Sequence, residues 1–136
     1  MAIPVITLLI TSCLVIVQLV LTAIVIKERR RSKVYIDSDG ASALERAIRA
    51  HTNFTEVTPI FLISLLILEL VDSYLWWVSI LGVAFILGRI LHATSLLSKA
   101  ALTETYPRRM LGILLTLIPL AASAISSVIW VVWNLI

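Results

Sequence analysis

Between Glu45 and Glu56 the chain reads Glu-Arg-Ala-Ile-Arg-Ala-His-Thr-Asn-Phe-Thr-Glu, and it runs directly into an apolar segment over 57–71. On a helix, at about 100° per residue, Arg46, Arg49, Asn53 and Glu56 fall within an arc of about 80°, with Glu45 beside them and His51 on the far side. Such a face can receive a negatively charged, hydrogen-bonding guest. A second cluster is Arg89 and His92, three residues apart and so on one helical face, which Leu96 and Lys99 continue. The third is Thr103-Glu104-Thr105-Tyr106-Pro107-Arg108-Arg109. Thr105 suits a helix cap and Pro107 a first helical turn, which would set Arg108 and Arg109 beside the free N–H groups of a helix N-terminus, an anion site. The competing role for the two arginines is plain anchoring of a basic loop. No metal-ligand cluster, phosphate-binding loop, dinucleotide glycine motif or Ser-His-Asp arrangement is present, so no metal is expected.

The elements that must position these groups follow from composition. With 136 residues, 60% hydrophobic, 14% charged and a mean hydropathy of +1.06, the chain reads as one all-α integral membrane domain. Apolar runs predict four transmembrane helices over 3–26, 43–71, 75–98 and 107–135; a span needs about 20 residues, and the second reaches that length only by starting inside the polar stretch. The first run lacks a basic start and ends in Lys27-Glu28-Arg29-Arg30-Arg31, which reads as a retained span and not a cleaved signal. Cys13 is the sole cysteine, so no intrachain disulfide can form.

The net charge of +3 sits in two places, the loop between spans one and two and the loop between spans three and four, while the connection between spans two and three carries Glu69 and Asp72 and no Lys or Arg. The positive-inside rule then puts both termini on the non-cytoplasmic side and both basic loops in the cytoplasm, against anionic headgroups and not nucleic acid. Tyr74, Trp76, Trp77, Trp130 and Trp133 fall at the opposite, outer interface on the same topology. Asp37-Ser38-Asp39-Gly40 is turn chemistry, and Ser42 with Glu45 fits a capping box at the start of span two. Pro59 removes a backbone hydrogen bond within that span and is expected to bend it. Ala84 and Gly88 permit close helix contact.

Buried charge needs a partner. For Arg89 the expected one is Glu56, the carboxylate at comparable depth in a neighbouring span, either as a packing tie or as part of a ligand site. His92 either lines that site or packs. Gln18 and Thr22 in span one are expected to bond another helix or their own backbone.

Arg46-x-x-Arg49-Ala50-x-x-Asn53-x-x-Glu56 at the start of the second of four spans resembles the MAPEG family, the membrane-associated proteins of eicosanoid and glutathione metabolism; Gly88-Arg89-x-x-His92 and Leu115-x-x-x-Pro119 look like further family elements. The resemblance implies a homotrimer of four-helix protomers that binds glutathione as co-substrate between protomers on the cytoplasmic side. It implies glutathione contacts from Arg46, Arg49, Asn53, Glu56, Arg89, His92 and Arg108, with Arg109 as the catalytic arginine that stabilises the thiolate. Thr52, Leu96 and Met110 depart from the eicosanoid-synthase pattern, and the chain looks more like the bacterial branch, hence an inner-membrane protein. The expected function is a glutathione-dependent transferase or peroxidase acting in detoxification on lipophilic electrophiles that arrive through membrane lipids. The alternatives are a non-enzymatic protein of the same fold that binds a lipid or other amphiphile, and a small transporter working through Glu56.

Overall fold

The computed structural model describes residues 3–36, 38, 42–71, 74–99 and 102–135. Within them lie four helices, α1 (Val5–Ser32), α2 (Ser42–Leu70), α3 (Leu75–Leu97) and α4 (Leu102–Leu135), each long and apolar enough to cross a bilayer. Asp37, Asp39 and Gly40 of the expected turn lie outside the described residues, as does Asp72.

Helix α1 outlasts its apolar run by nearly two turns and ends with Arg29, Arg30 and Arg31 in its last turn. Cations there complement the negative end of the helix dipole. Lys33 then stops the helix in the left-handed conformation (φ 57°), the usual geometry of a helix C-terminus. Helix α2 runs through Pro59 and stays helical to Leu70.

The expected boundary of α4 is corrected. The helix begins at Leu102, so Thr105 and Pro107 lie inside it and Arg109 sits two turns from its start. A proline this near a helix end forfeits only one backbone bond, to the carbonyl of residue 103, and the preceding turn survives that loss. Arg109 therefore gains nothing from free N–H groups at a helix terminus.

Helices α1 and α4 stand at opposite corners of the bundle and make no contact with each other among the described residues, while α2 and α3 touch every other helix. The centre is apolar. Phe61 of α2 and Phe85 of α3 are fully buried and stack with ring centroids 3.8 Å apart, flanked by Leu14, Leu65, Leu68 and Val78.

Glycine sets the approach of α3 to α4. A Cβ on Gly88 would lie 2.7 Å from the backbone carbon of Leu115, and one on Gly112 would lie 2.7 Å from the backbone nitrogen of His92. Each helix thus presents a glycine to the other's backbone, the arrangement small residues allow in membranes.

Glu69 is a second correction. It is not part of an exposed outer connection but lies inside α2, 4% exposed, and its two carboxylate oxygens accept the backbone N–H groups of Ile6 (2.8 Å) and Thr7 (2.7 Å). Helix α1 has no local side-chain cap. A carboxylate brought from the far end of α2 satisfies donors that hydrocarbon would leave orphaned, and its charge meets the positive end of the helix. At the same end of the bundle Trp77 donates Nε1–H to Ser126 Oγ at 3.1 Å, and Tyr74, Trp130 and Trp133 surround it.

Candidate functional site

The opposite end of the bundle holds a cavity of about 340 Å³ between the start of α2, the end of α3 and the start of α4. Arg46 and Arg49 enter it from α2, Lys99 from just beyond α3, and Arg109 from α4, with Glu45 as the one carboxylate among the described residues. Ser42, Ser95, Ser98 and Thr105 complete the polar wall, and Leu96 is its apolar part. Arg49 Nη2 donates to Glu45 Oε1 at 2.7 Å, a pair one helical turn apart whose side chains are 68% and 47% exposed. Pairs of that kind contribute at most about 1 kcal/mol, so either partner is free to exchange toward a ligand. Arg46 Nε is buried and has no hydrogen-bond partner among the described residues.

One to two turns below lies a buried layer centred on Arg89, 3% exposed. Its Nε and Nη2 donate to Thr116 Oγ1 at 3.0 and 2.6 Å, and Nη1 donates to both the Asn53 side-chain oxygen (3.1 Å) and the Asn53 carbonyl (3.2 Å). The guanidinium also lies 5.8 Å from the Phe85 ring centroid, within cation–π range. Thr116 passes its own proton to the Gly112 carbonyl at 2.8 Å. A cation can be buried this way because three oxygen acceptors aim at it, each bond to a charged group being stronger than a neutral one.

The expected Arg89–Glu56 pair is absent. Glu56 is exposed on the outer face of α2, and no ion pair reaches it among the described residues. The reason is angular. Asn53 and Glu56 share a helical face only loosely, and with Phe54 and Thr58 turned into the core, Asn53 faces Arg89 while Glu56 points outward. Glu56 is therefore not locked by the arginines around it. Arg89 in turn has only neutral oxygens as hydrogen-bond acceptors, so its positive charge is left uncompensated and adds to the field in the cavity above.

His92 is 4% exposed and packs against the α4 backbone at Gly112, with Nδ1 buried and unbonded among the described residues. It lies between the cavity and the Arg89 layer without lining the cavity. Arg108, expected at the site, turns away from it and donates to Thr94 Oγ1 at 3.3 Å on the outer surface of α3. So Arg46, Arg49 and Arg109 come together in one cavity; Asn53 and Arg89 form its floor layer; Glu56 and Arg108 lie outside it within one chain.

Two contributors were not singled out as site residues in the sequence. Lys99 could have been, since it continues the face of Arg89 and His92. Thr116 had one faint signal, seven residues after Arg109 and hence on the same face of α4. His51, set apart on the far face of α2, finds Gln18: their Nε2 atoms are 2.8 Å apart and tie α1 to α2, while Thr22 back-bonds to the Gln18 carbonyl at 2.9 Å.

Four bilayer-length helices, with a cation-lined cavity at one end and a capped, aromatic-rich other end, define a small polytopic membrane protein. The MAPEG family model matches residues 7–129 and so reaches into all four helices; the chain belongs to the MAPEG family. It is also similar to the inner membrane protein YecN of Escherichia coli, in strain K12 and in an O6:H1 strain, with 34% identity over 68 residues in each. The match covers 50% of this chain and 52% of each relative, so the chain spans about half the length of the curated relatives it matches.

Proposed function

We propose that the cavity binds glutathione and that the protein transfers its sulfur to lipophilic electrophiles. The convergence of Arg46, Arg49, Lys99 and Arg109 on one space, against a single carboxylate, carries this reading. Glutathione has two carboxylates that guanidinium forks match, and one ammonium that suits Glu45. A volume of about 340 Å³ is at the small end of the roughly 300–1,000 Å³ usual for small-molecule sites.

Arg109 supplies the chemistry. A free thiol has a pKa near 8.5 and only its thiolate is a strong nucleophile, so a guanidinium beside the sulfur raises the reactive fraction at neutral pH. Arg89, without a carboxylate partner, adds positive potential from below. The thiol proton goes to water, the S–C bond forms, and the leaving group departs with its electron pair. With a lipid hydroperoxide the thiolate takes the outer oxygen as the O–O bond breaks, the lipid alkoxide leaves and takes a proton from water, and a second glutathione converts the sulfenic acid to disulfide and water.

Glu56 points to the assembly. An exposed carboxylate on a membrane helix is costly in lipid, and a second copy packed on this face of α2 relieves it. The site is then completed between protomers of a homotrimer, with Glu56 supplied to a neighbour's cavity. The basic loops face the cytoplasm, both termini lie outside, and the membrane is a bacterial inner membrane, as the name of the E. coli relative suggests.

The test is thiolate absorbance on mixing glutathione with the purified protein, followed by conjugation to a generic aryl halide. Arg109→Ala should abolish the absorbance signal, and Arg108→Ala should preserve it. Absence of both thiolate and conjugate in the unaltered protein would overturn the enzymatic reading. Leu96 on the cavity wall, which brings no hydroxyl to the sulfur, favours a second reading: an amphiphile-binding protein with no turnover. Mass spectrometry of molecules carried through purification separates the two.

A further inference from the structure

A groove runs along one face of α1, against α3 below and the start of α2 above. Its lower part, about 260 Å³, is walled by Val17, Val20, Leu21 and Ile24 of α1 and by Ile90 and Leu97 of α3, with Thr94 as its one polar side chain. Its upper part is a second cavity of about 510 Å³, where Glu28, Arg31 and Ser32 of α1 face Ser42, Leu44 and Arg46 of α2 and Lys99; it shares Ser42, Arg46 and Lys99 with the central cavity. The two parts share no wall residue but follow one face of α1. Val17, Leu21, Ile24, Glu28 and Arg31 are spaced four, three, four and three, a single stripe along α1. Lys99 lies two residues past Leu97, the last residue of α3. Ile24 to Arg31 is about 10 Å of helix rise, so apolar wall gives way to cationic wall over the depth of a membrane interface.

Arg108, turned away from the central cavity, donates to Thr94 Oγ1 on the wall of the lower part. Arg31 is only loosely held, 4.0 Å from Glu28 and largely exposed. Among the described residues, three cations of the upper cavity, Arg31, Arg46 and Lys99, thus outnumber its one carboxylate.

We infer that this groove is a binding site for an anionic glycerophospholipid, with one acyl chain laid between α1 and α3 and the phosphate held by Arg31 and Lys99. A free phosphate would fill only the upper part, and a zwitterionic lipid would bring an ammonium to a cluster of cations. Only an anionic lipid satisfies both parts of the stripe. Lys99 and Arg46 also line the central cavity, whereas Arg31 and the apolar groove do not, so Arg31→Gln and Val20→Trp test the lipid site apart from glutathione binding.

The experiment is native mass spectrometry of the full chain released from mixed micelles, titrated with dioleoyl-phosphatidylglycerol or dioleoyl-phosphatidylcholine. Phosphatidylglycerol should be retained in preference to phosphatidylcholine. Arg31→Gln and Lys99→Gln should each weaken retention about fivefold, the contribution of one basic residue to holding an anionic lipid. Val20→Trp, which fills the lower groove from an exposed position, should weaken it without altering charge. Arg30→Gln is the control: Arg30 is exposed, off the stripe, and carries the same charge. Equal loss in Arg30→Gln would mean diffuse surface electrostatics and would overturn the site. So would full retention in Val20→Trp, or displacement of the lipid by inorganic phosphate at equal concentration.

Discussion

Replacing Thr116 by Val keeps the shape of the side chain and removes its oxygen. Thr116 is 2% exposed, accepts two guanidinium N–H groups from Arg89 at 3.0 and 2.6 Å, and donates to the Gly112 carbonyl at 2.8 Å. Hydrogen bonds to charged groups contribute about 1.5–3 kcal/mol, and an abandoned buried donor retains its desolvation cost. Two such bonds share one oxygen, so their losses overlap; the estimate for Thr116→Val is a destabilisation of about 3 kcal/mol. Glu56→Gln, by contrast, changes an exposed carboxylate with no ion pair among the described residues, and should shift the stability of the single chain by less than about 0.5 kcal/mol. Equilibrium unfolding by dodecyl sulfate in mixed micelles measures both. A loss below about 1 kcal/mol for Thr116→Val, or a Glu56→Gln effect larger than it, would refute the claim that neutral oxygens and not a carboxylate hold Arg89 in place.

Glu69→Ala strands the N–H groups of Ile6 and Thr7 at the start of α1 and should cost roughly 2–4 kcal/mol in the same assay, with faster amide exchange confined to the first turn of α1. Gly88→Ala should destabilise by about 1–3 kcal/mol, because its Cβ meets the Leu115 backbone at 2.7 Å. Gly82→Ala should cost less, since there the obstacle is side-chain atoms of Ile10 and not backbone. Gln18→Leu loses the bond to His51 and should cost about 1 kcal/mol, rescued by the paired change His51→Leu, which a double-mutant cycle detects as coupling.

The composition and the position of the charges were enough to specify a bundle of four membrane helices, because hydrocarbon forces every backbone polar group into helical pairing and a span has a fixed minimum length. Periodicity was also enough to put Arg46 and Arg49 on one face, and Arg89 with His92 on another. Partner choice was beyond its reach. Arg89 takes Asn53 and Thr116 rather than Glu56, and Arg109 faces the cavity while Arg108 faces the groove; both outcomes depend on rotations of helices about their axes that no single helix encodes. Glu69 makes the same point most sharply: as sequence it is an acid near a loop, and as structure it caps a helix more than sixty residues away. Local periodicity fixes which residues share a face, because that is a property of one backbone. Which face meets which is settled by the packing of Gly88, Gly112, Phe61 and Phe85, an agreement among helices that exists only once they are side by side.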